Sequence, residues 1–262
     1  MTIFIFVFGI AIGSFIDCLV YRLNKEKNFW KRFLKGRSYC PRCKHQLAWF
    51  ENIPLCSFFL QKGKCRHCHS LISWRYPLVE LFTGLIFVGV YKWWLIPNFN
   101  PSSDFYIFIS LFCQKQTYLY LYIFLVLLAV FLSDLFYWTI PDQITFPAIL
   151  IFFIWNIIQG QWLSILAGLA GVIFFLLLVF LTKGKGMGLG DVKLVGLMGL
   201  FLGFPRLIVA LYLAFLTGAI TGVILILIKK KRIDSRIPFG PFLALSAFVA
   251  LFWGEKIWQF FL

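Results

Sequence analysis

Apolar residues run along this chain in long blocks separated by short polar interruptions. Most blocks hold about 17–22 positions, enough for a helix to cross the ~30 Å hydrocarbon core of a bilayer. They fall at 2–21, 77–96, 117–133, 144–160, 163–182, 192–204, 206–228 and 239–262, of which 192–204 is the shortest. The pattern predicts an all-α polytopic membrane protein with about eight transmembrane helices. The one long polar interruption predicts a small cytoplasmic loop domain between helices 1 and 2. The expected division is a first transmembrane helix at 1–22, the loop domain at 23–76, a second helix with an external loop at 77–116, and a membrane domain at 117–262.

Composition agrees: 61% of the 262 residues are hydrophobic and 20% aromatic. The first charge is Asp17 and Arg22 follows the first apolar block. A cleaved signal peptide has its basic residues in front of that block, so 2–21 reads as a retained helix. Lys and Arg set the orientation. Segments 22–76, 183–193 and 229–236, which lie on alternate ends of the predicted helices, hold 21 of them, and only Lys92, Lys115, Arg206 and Lys256 fall on the other side. The positive-inside rule then places the loop domain in the cytosol and both termini outside. The net charge of +15 is thereby explained by topology. No soluble domain of useful size displays it, which argues against nucleic-acid binding, whereas the basic loop suits anionic lipid headgroups.

The loop carries Cys40-Pro41-Arg42-Cys43 and Cys65-Arg66-His67-Cys68. Two CxxC pairs at this spacing match a four-cysteine zinc site, and two disulfides are the alternative. Disulfides persist outside the cytosol, so the cytosolic placement of the loop favours zinc on Cys40, Cys43, Cys65 and Cys68. Four thiolates close a tetrahedral shell, so the metal is expected to be structural, stapling a loop with too few apolar residues to fold unaided. His45, His67 and His69 are expected at the surface or around the ligands, and Cys18, Cys56 and Cys113 in packing.

Only ten residues are acidic, and in a membrane protein their depth matters most. Asp17, Glu80, Asp134, Asp142 and Asp191 fall at the predicted cytoplasmic ends of helices. Glu26, Glu51, Asp104, Asp234 and Glu255 are expected on solvated surface. Pro141, before Asp142, ends or bends the helix that bears Asp134. Gly186, Gly188 and Gly190 precede Asp191 and allow close approach of backbone and substrate. Asp191 is then expected near the start of the following helix, where the dipole favours a carboxylate. Two carboxylates at one membrane level suit aspartyl peptide hydrolysis, one activating water and the other hydrogen-bonding the scissile carbonyl. A proton- or cation-coupled transporter also buries acids. The plain structural alternative makes Asp134 a helix-end residue and Asp191 a helix cap.

The order of motifs resembles the type IV prepilin peptidases, the prepilin leader peptidase/N-methyltransferases, nearly from end to end. The residues that carry the resemblance are Gly13-Ser14-Phe15 leading to Tyr21-Arg22-Leu23, the first CxxC pair after Arg37-Ser38-Tyr39, and Glu51-Asn52-Ile53-Pro54. The second CxxC pair, Ile72 through Leu81, Asp134 with Ile140-Pro141-Asp142, Gly188-Leu189-Gly190-Asp191-Val192-Lys193-Leu194, and Ile237 through Phe242 complete it. A lone GxGD is shared with other intramembrane proteases; the ordered set with zinc pairs is specific.

The resemblance implies a membrane aspartyl endopeptidase with Asp134 and Asp191 as its catalytic pair and Asp142, Gly188 and Gly190 supporting the site. Its substrates would be prepilins or pseudopilins, whose basic leader is cut after a glycine at the cytoplasmic face of the bacterial inner membrane. Many members then methylate the new N-terminus with S-adenosylmethionine, and the CxxC loop is associated with that step. Asp17 stands where the family commonly has Asn, and Glu51 where Asp is common. Asp142 and Glu80 are candidates to pair with leader Lys or Arg, with Glu80 expected to pair instead with Arg75. Lys193 is a candidate to hold Asp191 ionised, although two positions along a helix point apart.

Overall fold

The computed structural model describes residues 2–25, 37–91, 115–184, 187–228 and 237–261. Glu26, Asp104, Asp234, Cys113, Gly186, Lys92 and the basic segment 229–236 lie outside the described residues, as does the predicted span 77–96 beyond Tyr91. The chain divides into two compact units, Met1–Tyr120 and Leu121–Leu262. Among the described residues there is no strand, only two isolated bridges, Tyr39 with Gln46 and Lys64 with Leu71.

In the first unit α1 (Thr2–Lys25) packs against α3 (Arg75–Val90), and between them lie a 3-10 turn (Trp49–Asn52) and the short α2 (Cys56–Leu60). Small residues let the two long helices approach closely. A Cβ on Gly13 would stand 2.8 Å from Thr83 Oγ1, and one on Gly84 would stand 2.8 Å from Ile10 Cγ1. The loop is tied onto α3 from above. Leu55, at φ 59°, donates its N–H to Glu80 Oε2 at 2.8 Å, and Phe58 of α2 packs under Trp74 with ring centroids 4.9 Å apart.

The second unit contains α4 (Lys115–Tyr137), entering it at Leu121, α5 (Asp142–Ile158), α6 (Trp162–Leu181), α7 (Leu189–Leu202), α8 (Arg206–Leu227) and α9 (Gly240–Phe261). At its centre is α7, which packs on α5, α6, α8 and α9 and buries ten of its 14 residues. A helix apolar on all sides is a core helix, and at 14 residues it spans only about 21 Å. Its fit against α6 depends on glycine: a Cβ on Gly199 would lie 2.3 Å from Gly168 Cα, and one on Gly196 2.7 Å from Val172 Cγ2. Asn156 of α5, fully buried, donates to the Leu200 carbonyl at 2.7 Å.

The described residues thus form an all-α membrane protein. Five helices among them are long and apolar enough to cross a bilayer: Thr2–Lys25, Tyr118–Tyr137, Trp162–Leu181, Arg206–Leu227 and Gly240–Phe260. Asp142–Ile158 is a shorter apolar helix.

Candidate active site and metal centre

The first unit presents the four cysteines as one cluster, with the Sγ atoms of Cys40, Cys43, Cys65 and Cys68 all within 4.8 Å of one another. Both CxxC segments adopt the same local backbone. Lys44 donates its N–H to the Cys40 carbonyl and His69 to the Cys65 carbonyl, and each of these residues turns through positive φ, 61° and 54°. The two knuckles aim their thiols at a shared point. A tetrahedral zinc with Zn–S near 2.3 Å sets its sulfurs about 3.8 Å apart. Cys40 and Cys68 are 3.9 Å apart, and all four thiols are free, so the donor set fits a metal.

The thiols differ in acidity. Ser70, through its hydroxyl 3.0 Å from the Cys68 sulfur and through its backbone, lowers the Cys68 thiol to about 6. The His45 backbone pulls Cys43 down, yet desolvation and the neighbouring thiols push it up to about 11. Cys68 therefore loses its proton more readily than Cys43, whose thiolate forms when a metal displaces its proton. His45 and His67 are exposed and stack with ring centroids 3.4 Å apart.

In the second unit both candidate carboxylates meet the start of a helix. Asp134, buried near the end of α4, accepts the Gly240 N–H at 2.8 Å with Oδ2, and Gly240 begins α9. Asp191, buried in the first turn of α7, accepts the N–H of Gly188, the residue before the helix, at 3.1 Å. Free N–H groups and the helix dipole favour a carboxylate at both positions. The two acids lie within electrostatic range of each other. The loop after α4 supplies the join: Ile140 packs on Gly190 so closely that a Cβ there would stand 3.2 Å from its Cβ. Beside it Lys193 Nζ meets Asp142 Oδ1 at 2.7 Å and lies 5.0 Å from the Phe146 ring centre. The geometry gathers Asp134, Asp142, Gly188, Gly190, Asp191 and Lys193 at one end of the second unit.

Four expectations are corrected. Arg75 forms its ion pair with Asp17, not with Glu80. Glu80 is held by Leu55 N–H and by Ser14. The reason is depth: Asp17 is 1% exposed and needs a countercharge, whereas Glu80 is met by loop donors. Lys193 pairs with Asp142, as the helical spacing from Asp191 requires. Glu51 is buried, not solvated, because it accepts the Ala48 N–H at 2.9 Å in the 3-10 turn. Cys56 is exposed, since α2 buries its Phe58 face.

Residues that sequence reading left without a role also appear. Gly240 was visible only as part of a Pro-Phe-Gly-Pro run, and Ile140 only as the neighbour of Pro141. Nothing in either position signals its partner 50 to 106 residues away.

Comparison with known proteins bears on the family of the chain. Residues 7–94 match the family model of the bacterial peptidase A24 N-terminal domain, and residues 121–223 match that of the type IV leader peptidase family. The chain is 34% identical over 286 residues to a prepilin leader peptidase/N-methyltransferase of Aeromonas salmonicida, covering 98% of this chain and 92% of that one. The chain belongs to the prepilin leader peptidase/N-methyltransferase family. Relatives of the same name include one from Pseudomonas aeruginosa, 32% identical over 282 residues, with 97% and 91% covered. Another, from Legionella pneumophila, is 32% identical over 285 residues, with 98% and 93% covered. No solved structure matches. Within this family chain, the four-cysteine cluster falls in the first matched segment, and Asp134 and Asp191 fall in the second.

Proposed function

We propose that this protein is an aspartyl endopeptidase of the bacterial inner membrane. It removes the basic leader of prepilins or pseudopilins after a glycine and then methylates the new N-terminus with S-adenosylmethionine. The observation that carries the peptidase reading is that Asp134 and Asp191, buried carboxylates on separate helices of one unit, lie within electrostatic range of each other. Two such groups at close range share a proton. The ionised one takes a proton from water as the water attacks the scissile carbonyl; the protonated one donates a hydrogen bond to that carbonyl oxygen and later supplies the leaving amine with its proton.

The remaining residues support this placement. Gly190 admits Ile140, which sets the loop after α4 against the first turn of α7. The Asp142–Lys193 pair clips the same two segments from the outside. Zinc on the four cysteines is structural in this reading, its closed shell leaving no position for substrate. With the loop and both carboxylates on the cytoplasmic side, as the Lys and Arg distribution implies, a leader held at that face meets the pair without crossing the bilayer.

The test is co-expression with a prepilin carrying a basic leader. Asp134→Asn and Asp191→Asn should each abolish the mobility shift of leader removal while the protein stays in the membrane. Since the two act as a unit, the double variant should be no worse than either single one. Full processing by either single variant would falsify the assignment.

A further inference from the structure

We propose that the cleft in the first unit, walled by α1, α3 and the cysteine-bearing loop, is the site of methyl transfer. In it Glu51 and Glu80 hold the cationic methyl donor and the pilin amine. This rests on the N-methylation reading above and adds its location and its residues.

The cleft holds about 210 Å³, and all of its lining residues fall within the first unit. The charged side chains on its walls are Glu51, Glu80 and Arg22. Both carboxylates are buried, at 8% and 7% exposure. Each is aimed by a backbone N–H, Ala48 for Glu51 and Leu55 for Glu80. The positive φ of Leu55 presents the second of these donors. Arg22 offsets one of the two acids on this wall, and burying the second is costly unless something cationic occupies the space.

N-methylation brings such a pair together. The donor is a sulfonium, and the terminal amine of a newly cut pilin, with a pKa of about 8, enters largely as an ammonium. Two positive groups in a half-enclosed cleft require two negative ones. A cleft carboxylate takes the proton of the ammonium and releases it to solvent. The freed nitrogen lone pair forms a bond to the methyl carbon as the carbon–sulfur bond breaks, its electron pair staying on sulfur. The products are an N-methylammonium and a neutral thioether, so one positive charge persists throughout. The donor loses its charge on reaction and with it the attraction that held it, which favours release of the spent thioether.

Tyr21, Tyr39 and Tyr76 line the same space. Their rings suit stacking on a purine and contact with a methylated cation. Cys40 and Cys65 also reach the wall, so the metal staple shapes the cleft directly.

The experiment uses the full-length protein in detergent and a synthetic mature-pilin peptide beginning with Phe, which makes leader cleavage unnecessary. S-adenosylmethionine binding is measured by calorimetry and methyl incorporation by mass. Glu51→Gln and Glu80→Gln keep an acceptor for the backbone N–H; retention of one zinc per chain reports that the loop is folded. Each should reduce methylation at least tenfold, and at least one should also weaken donor binding at least tenfold. Wild-type binding and methylation in both variants would overturn the proposal. As a test that needs no variant, ultraviolet crosslinking of labelled S-adenosylmethionine to the wild type should mark peptides containing Tyr21, Tyr39 or Tyr76. Label confined to 121–262 would overturn the cleft but leave the methylation reading intact, whereas no binding and no methylation by the wild type would end both.

Discussion

Asp134 accepts the backbone N–H of Gly240, and that makes Gly240 a sensitive non-acidic position in the second unit. A Cβ at 240 would stand 2.6 Å from Asp134 Oδ2, inside any real contact distance, and the carboxylate cannot move aside without leaving the N–H that binds it. Gly240→Ala should therefore lower leader cleavage at least tenfold while the protein still inserts and binds zinc, as measured by processing in membranes and by metal analysis. Wild-type processing would show that Asp134 does not depend on α9. At this scale the acids themselves were legible in the sequence, because a carboxylate in an apolar chain is rare and the GxGD and Pro-Asp runs mark two of them. Their partners were not. Asp17 and Arg75 are 58 positions apart, and nothing local tells Arg75 to prefer Asp17 over Glu80, five residues away on its own helix. Burial decided that pairing, and burial follows from how α1 meets α3.

Among the elements, α7 determines whether the site exists, since it carries Asp191 and packs on four neighbours. Its approach to α6 leaves no room for a side chain at Gly199, where even a Cβ would overlap Gly168 Cα at 2.3 Å. Gly199→Leu forces the helices apart. Overpacking of this kind costs about 1–3 kcal/mol or more, and in lipid, where close packing and not hydrophobicity joins helices, little else compensates. The variant should lose thermal stability in detergent, read as a fall in its unfolding midpoint, and lose cleavage with it. An unchanged midpoint would mean that α6 and α7 tolerate separation. The helices were largely legible as apolar blocks, including the shortness of 192–204. That its shortness marks a buried centre was not, because length and hydropathy do not distinguish a short span from a core helix. Glycines at 168, 196 and 199 become informative only when the facing helix is known.

At the scale of the whole molecule the candidate sites are divided between the two units. The first has the four-cysteine cluster and the cleft, and the second has Asp134 and Asp191. In the proposed reading the loop that bears the cysteines takes its order from the metal, from Phe58 against Trp74, and from the hydrogen bond of Leu55 to Glu80. Removing the metal withdraws the first of these and frees Cys40 and Cys65 from the cleft wall, while the second unit keeps its own helix core. Zinc should therefore be present at one per chain and be lost to a strong chelator or in Cys40→Ser. Loss of metal should abolish N-methylation, read from the mass of the mature pilin, and leave leader removal within a few-fold of normal on a gel. Cleavage that disappears together with the metal would mean that the staple supports the peptidase as well and that the two activities are not divided as the units are. Acid should act in the same direction as the chelator. Thiolates compete with protons for the metal, so occupancy is kept at neutral pH and falls as the medium is taken below about 6, where the Cys68 thiol is also protonated.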